Sequence, residues 1–301
     1  MSLLHRQRLL LALLEEMGGN LSATDFQKHL FLYVTAAEPA PSYDFVPYRF
    51  GGFSFESYAD RRRLVEAGLL EEGTGSEWKL APAQPLQFRK AVPPAVRQRL
   101  VAHRRQFGQL TGKALVAETY RRSPYHAIHS TILGEILPNP AERRAVETCR
   151  PRPTGPALFT IGYEGISLDT FLNRLIRTGV KCLCDVRKNP ISRKYGFAGK
   201  TLADACAKLG IAYRHLPELG IPGDLRHDLS LPGARAALFD DYRRTTLPAQ
   251  LDALDKIRAL LEEFGTVALT CFEHVATDCH RHCVVEALSA DPGWTIPVRD
   301  L

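Results

Sequence analysis

ALFTIGYEGISLDTFLNRLIRTGVKCLCDVR, residues 157–187, decides how the C-terminal half of the chain is read. It opens with an apolar run without alternation, the composition of a strand covered on both faces, and a turn follows at Gly162–Gly165. SLDTFLNRLIRTG has helical spacing. Ser167 is placed to cap it, Asp169 puts a negative charge in its first turn, and Gly179 ends it. VKCLCDVR is a second apolar strand. Strand, helix and strand in so short a span make a parallel crossover.

The same alternation continues downstream. TLADACAKLG (201–210) reads as a helix and IAYRHLPELG (211–220) as a strand. ARAALFDDYRRTT (234–246) and QLDALDKIRALLEEFG (250–265) are helical, and TVALTCFE (266–273) is a β-branched strand. CHRHCVVEALS (279–289) is a helix, and WTIPVRDL (294–301) offers a last strand. The expected fold class is α/β: a three-layer domain over residues 151–301, with a parallel sheet between helices.

Upstream the pattern is helical. Leu9, Leu10, Leu13 and Leu14 recur at helix spacing before Gly18-Gly19, and Ser22 can cap SATDFQKHLFLYVTAA (22–37). YDFVPYRFGGFSF (43–55) reads as irregular, ESYADRRRLVEAGLL (56–70) as a helix, EEGTGSE (71–77) as a turn and WKLA (78–81) as a strand. Three helices followed by a small strand pair is the order of a winged-helix domain, placed at residues 1–81. Residues 82–150 read as a helical extension and linker. They contain the turn-rich PAQPLQ (82–87) and two helices within 93–132. The later part of the five-proline segment 138–156 serves as the linker.

With 301 residues, 45% hydrophobic and 24% charged, the chain can build ordinary cores without disulfides. Its net charge of +6 and isoelectric point near 9.0 permit a nucleic-acid partner. No run is apolar enough to span a membrane, so no membrane partner is expected. The leucine run at the N-terminus ends at Glu15-Glu16 without a small-residue cleavage site, and is read as an amphipathic first helix. Seven cysteines, an odd number in apolar settings, fit reduced thiols and a cytoplasmic location.

Ligands of open parallel sheets bind beyond the C-terminal strand ends. Four strands bring ionisable groups there: Tyr163 and Glu164, then Asp185 and Arg187, then His215 and Glu218, and last Glu273 after Cys271. Charges at the rim of a buried sheet are costly unless paired or functional. The four acids Glu164, Asp185, Glu218 and Glu273 are the catalytic candidates. Tyr163 and Arg187 at the strand ends, Cys279, His280 and Arg281 at a helix start, and the basic loop with Arg193, Lys194 and Tyr195 are candidates for holding an anionic substrate. Each has a plain structural alternative: Asp185 and Arg187 form an ion pair, Glu218 caps a helix, and the basic loop is a solvated face.

Two resemblances add to this. TIGYEG (160–165), CDVRKNPISRKYGF (184–197), YRHLPELG (213–220), CFE (271–273) and CHR (279–281) resemble the motif set of the family called "domain of unknown function 488". That likeness implies the α/β fold, and it implies that Tyr163, Glu164, Asp185, Arg187, Glu218, Glu273, Cys279, His280 and Arg281 occupy its motif positions. FQKHLFLY (26–33), the Phe53-Ser54 turn and the GLL-to-WKLA ending are similar to winged-helix domains of the Panacea antitoxin group, which bind DNA or protein.

No metal or cofactor is expected. Cys279 and Cys283, with two histidines between them, lack the two separated ligand pairs of a zinc site. The functional expectation is a DNA-directed hydrolase in repair, modification or defence, acting on a glycosidic or phosphodiester bond. The alternatives are an antitoxin-type DNA-binding regulator that senses an anion, and a thiol enzyme using Cys279 or Cys271.

Overall fold

The computed structural model describes residues 3–72, 77–82, 87–225 and 232–301. The chain divides into two units, Met1–Arg150 and Pro151–Leu301. The turn expected over 71–77 and the break over 82–87 fall largely outside the described residues. Among the described residues no helix is long and apolar enough to cross a membrane.

The N-terminal unit runs α1 (His5–Glu16), β1 (Asn20–Ser22), α2 (Ala23–Ala37), β2 (Val46–Tyr48), β3 (Gly51–Phe53), α3 (Phe55–Glu66), β4 (Glu77–Lys79), α4 (Pro94–Phe107), α5 (Gly112–Arg122), α6 (Leu133–Ile136) and α7 (Pro140–Thr148). The first helix is not the amphipathic one expected. Leu9 to Leu14 are buried around the whole circumference, and so are Glu15 and Glu16. A helix apolar on every side must be enclosed, and the buried faces of α2 and α4 share its cluster with Trp78. Both glutamates meet Arg89. Its backbone N–H donates to Glu15 Oε2 (2.6 Å), and its Nη1 donates to Glu16 Oε2 (2.8 Å).

The stretch read as irregular and the earlier part of the five-proline segment are both ordered. Residues 43–55 hold the β2–β3 hairpin. There Gly51 takes a left-handed φ of +91°, and a Cβ on Gly52 would stand 2.7 Å from the Phe31 ring. The proline-rich stretch 138–156 holds α7, where Asn139 accepts from the Ala141 N–H and Pro140 takes the first helical position. The strand expected at 78–81 is β4. It pairs antiparallel with β1, Asn20 opposite Lys79 and Ser22 opposite Glu77.

Among its described residues the C-terminal unit has five parallel strands: β5 (Ala157–Gly162), β6 (Cys182–Asp185), β7 (Ala212–His215), β8 (Thr266–Cys271) and β9 (Val298–Asp300). Their order is β7-β6-β8-β5-β9. The helices are α8 (Leu168–Thr178), α9 (Gly199–Lys208), α10 (Ala234–Asp241), α11 (Leu251–Phe264) and α12 (Arg281–Ser289). The links β5–α8–β6 and β6–α9–β7 step one way across the sheet, and the returns through α11 and α12 step the other way. Right-handed crossovers therefore put α8 and α9 on one face and α11 and α12 on the other. Leu158, Cys182, Cys184, Val267, Leu269 and Cys271 share a buried cluster with Ile257 and Leu261 of α11 and with Cys283, Val284 and Leu288 of α12. The caps read from the sequence are in place: Ser167 Oγ accepts from the Thr170 N–H at 3.0 Å, and Gly179 is left-handed at φ +72°.

All seven cysteines are free, and only Cys149 is not buried. Burial pushes the thiols of Cys182 and Cys206 up to about 11 and about 12, so both pack as neutral apolar groups.

One buried polar contact makes the N-terminal unit acid-sensitive. His29 Nδ1 and His103 Nε2 lie 3.2 Å apart. Burial lowers the pKa of His29 to about 4 and that of His103 to about 3. An unfolded histidine takes up its proton near pH 6.5. Between that pH and about 4 the unfolded chain thus binds more protons than the folded one, and stability falls as pH falls. The expected slope is on the order of 1 kcal/mol per pH unit for each histidine. Urea unfolding followed by Trp78 fluorescence in a Trp294→Phe background measures it, and His103→Asn should flatten the slope.

Candidate active site at the strand ends

Connections leave β8 and its neighbours β5 and β6 toward opposite faces, so the crevice of an open α/β sheet falls at their C-terminal ends. A cleft of about 420 Å³ lies there, bounded by Tyr163, Arg187, Arg193, Cys271, Phe272 and Glu273 among others. The backbone at this rim is close-packed. A Cβ on Gly162 would stand 1.7 Å from the Glu273 carbonyl oxygen, and one on Gly220 would stand 2.0 Å from the Lys188 nitrogen. The Tyr163 and Glu164 N–H groups both donate to the Phe272 carbonyl, at 3.0 and 2.9 Å. The chain leaving β8 is thereby pinned against the end of β5.

Asp185 is fully buried behind the cleft wall. Its Oδ1 accepts from the backbone N–H (3.1 Å) and Nε (2.8 Å) of Arg187, and its Oδ2 accepts from Arg187 Nη2 and from Tyr213 Oη (2.7 Å). Burial, and then the charge of Asp185, push the Tyr213 hydroxyl far above its usual pKa, so it remains a donor. Arg187 Nη1 donates to Tyr163 Oη and to the Phe197 carbonyl, both at 2.9 Å. The Tyr163 ring stacks on Phe197, with centroids 4.2 Å apart and planes 9° apart. His215 Nε2 lies 2.8 Å from the Arg187 carbonyl.

Glu273 alone of the four candidate acids lines the cleft. Asp185 holds Arg187 instead. Glu164 is exposed and accepts from the His274 N–H at 3.1 Å. Glu218 pairs with Lys256 of α11 at 2.9 Å, and its pKa is lowered by its own backbone N–H first and Lys256 second. Of the candidate anion contacts, Tyr163, Arg187 and Arg193 line the cleft. Lys194 donates to the Tyr163 carbonyl at 2.8 Å, and Tyr195 stands outside the lining.

The helix-start group is buried. Arg281 does make a bidentate contact, but with main chain: Nη1 donates to the Glu273 carbonyl (2.6 Å) and Nη2 to the His274 carbonyl (2.9 Å). It corrects the expectation of an anion contact there, because its donors are spent fixing the loop that carries Glu273. His280 Nε2 lies 2.9 Å from the Val186 carbonyl. Burial holds the Cys279 thiol well above its ordinary pKa, the opposite of what a thiol nucleophile needs.

The sequence reading missed Tyr213, which stands in the same YRHLPELG motif two residues before His215, and the close approach at Gly162, signalled only by a glycine at a strand end. It also missed the apolar lip of Ile191 and Phe272, both exposed.

Residues 167–288 match the model of the family described as "Domain of unknown function DUF488". The matched span makes up most of the C-terminal unit, so that unit is similar to the domain of this family. Tyr163 and Glu164 lie before the matched span. No curated protein and no solved structure matches the chain.

Two outcomes follow for stability. Arg187→Met strands a buried carboxylate and should cost about 3–5 kcal/mol, whereas Arg187→Met with Asp185→Leu should cost less than the sum of the two single changes. Denaturant titration of the three variants measures this. Gly162→Ala must displace the Glu273 carbonyl and should cost about 1–3 kcal/mol. Gly155→Ala, which meets open space, should stay within about 0.5 kcal/mol of the parent. The thermal midpoints of the pair should separate accordingly.

Proposed function

We propose that the C-terminal unit is a hydrolase acting on nucleic acid, with DNA as the favoured substrate and an N-glycosidic or phosphodiester bond as the point of attack. One observation carries the reading. Among the described residues a single carboxylate, Glu273, lines a cleft whose other charged lining groups are Arg187, Lys188 and Arg193. The cations suit a phosphate backbone, and exposed Ile191 and Phe272 offer apolar faces to a base. In this reading Glu273 takes the proton from the attacking water. Lys188 and Arg193 hold the phosphate, and Arg187 keeps Tyr163 and the 187–197 loop in place.

Residues 1–81 are read as a winged-helix-like recognition module and 82–150 as its helical extension. The exposed Arg62 and Arg63 of α3 and the net charge of +6 support contact with phosphates. Seven free cysteines suit a reducing compartment, and the cytoplasm is the proposed location.

The test is incubation of the full chain with single- and double-stranded DNA and RNA, damaged-base substrates included, with and without divalent metal. Cleavage or base release should fall at least about 100-fold in Glu273→Gln. Substrates left intact under every condition would falsify the reading. Salt-sensitive DNA binding that is indifferent to Glu273→Gln would favour a regulator instead.

A further inference from the structure

Cys271 closes β8, while Cys279 and His280 stand just before α12. The fold brings the three together at the cleft wall that Cys271 lines, with Cys279 and His280 behind it. Cys271 Sγ lies 3.8 Å from His280 Nδ1, and Cys279 Sγ lies 3.9 Å from the same nitrogen. All three donor atoms fall within 4.8 Å of one another. Ligand atoms around a tetrahedral zinc ion, at its usual Zn–S and Zn–N lengths, stand about 3.5–3.8 Å apart. Small adjustments of buried side chains would close the set.

Two thiols packed beside an imidazole in weak hydrogen bonds would also give such distances. The second nitrogen of His280 shows that the ring is held in the tautomer a metal needs. Nε2 lies 2.9 Å from the Val186 carbonyl, which can only accept, so Nε2 carries the proton and the lone pair of Nδ1 faces the sulfurs. A backbone carbonyl fixing the far nitrogen is the usual outer partner of a metal-bound histidine. Charge points the same way. Two thiolates and a divalent cation bury no net charge, and two thiolates with one imidazole select zinc over hard cations.

We propose that Cys271 Sγ, Cys279 Sγ and His280 Nδ1 bind a zinc ion, with the Glu273 carboxylate beside the fourth position. Cys271 and Glu273 both line the cleft, and Glu273 Oε2 lies 3.5 Å from Cys271 Sγ, so the open side of the ion is the side toward substrate. Three protein ligands and one open position is the arrangement of catalytic rather than structural zinc. Resting on the hydrolase reading, the fourth ligand is water. One of its O–H bonds breaks, the proton passes to Glu273, and hydroxide stays on the metal as the nucleophile. The expectation of no metal rested on pairing Cys279 with Cys283. The fold pairs Cys279 with Cys271 instead, and Cys283 Sγ turns toward His282, 3.5 Å from its Nε2.

The full chain, purified under reductant and stripped of metal, should take up one equivalent of zinc by equilibrium dialysis with elemental analysis. Cobalt(II) in its place should give tetrahedral d–d bands and a thiolate-to-cobalt charge-transfer band. Cys271→Ser and Cys279→Ser should each weaken binding more than about 100-fold, beyond the loss of an outer partner. Cys283→Ser should leave the spectrum unchanged. A folded parent chain that shows no thiolate–cobalt band overturns the proposal, whether or not the serine variants fold. Loss of the band in Cys283→Ser but not in Cys271→Ser also overturns it, by moving the ion to His282, Cys283 and Glu286. Metal bound without hydrolysis of any substrate leaves the site standing and removes the hydrolase reading. Hydrolysis by chain that binds no metal does the reverse.

Discussion

The buried pair of Asp185 and Arg187 organises the whole strand-end rim. One carboxylate and one guanidinium connect the end of β6 to Tyr163 after β5, to Tyr213 of β7 and to the Phe197 carbonyl in the loop before α9. Taking both charges out of water is expensive, and their attraction offsets the cost only when the remaining donors and acceptors are also satisfied. Here both carboxylate oxygens and both terminal guanidinium nitrogens have partners. The pair adds little net stability over an apolar core of the same shape. What it provides is one shared set of hydrogen bonds among three strand ends and a loop.

A second constraint acts on the other side of the cleft. The chain leaving β8 is held from below by Gly162, from the side by the Tyr163 and Glu164 N–H groups, and from behind by Arg281. Glu273 thus sits on main chain fixed at three points, the kind of support a general base needs if its carboxylate is to stay within reach of a reacting atom. The two constraints meet at Tyr163, whose ring and hydroxyl answer to Arg187 and Phe197 while its N–H answers to Phe272.

Much of the C-terminal fold was legible because the signals are local. Ser167 and Gly179 bracket α8, and continuous apolar runs mark β5, β6 and β8. The rim was legible because the strands change from apolar to ionisable at one end. The assignment of roles was not. Whether a strand-end acid faces solvent, substrate or an arginine depends on contacts between segments far apart in the chain. Asp185 and Tyr213 are 28 residues apart, and their hydrogen bond exists only once β6 and β7 lie side by side. The same limit explains the cysteines. Spacing within a helix suggested Cys279 with Cys283, whereas the loop from β8 to α12 folds Cys279 back on Cys271. In the N-terminal unit, α1 misled because charged Glu15 and Glu16 end the leucine run, and nothing local reveals that Arg89 covers them.

Arg281 has a consequence for how this protein can vary. It clamps the carbonyls of residues 273 and 274, and the chain returns to the buried core at Cys279. The arc between, from Val275 to Asp278, is fastened at both ends and solvent-exposed or half-exposed along its length. Its exposed side chains can vary with less effect on the buried core than a change at Arg281 or Cys279 would have. Such a hoop, fastened at both ends and outside the cleft lining, is the natural position for grafting a reporter next to the candidate site.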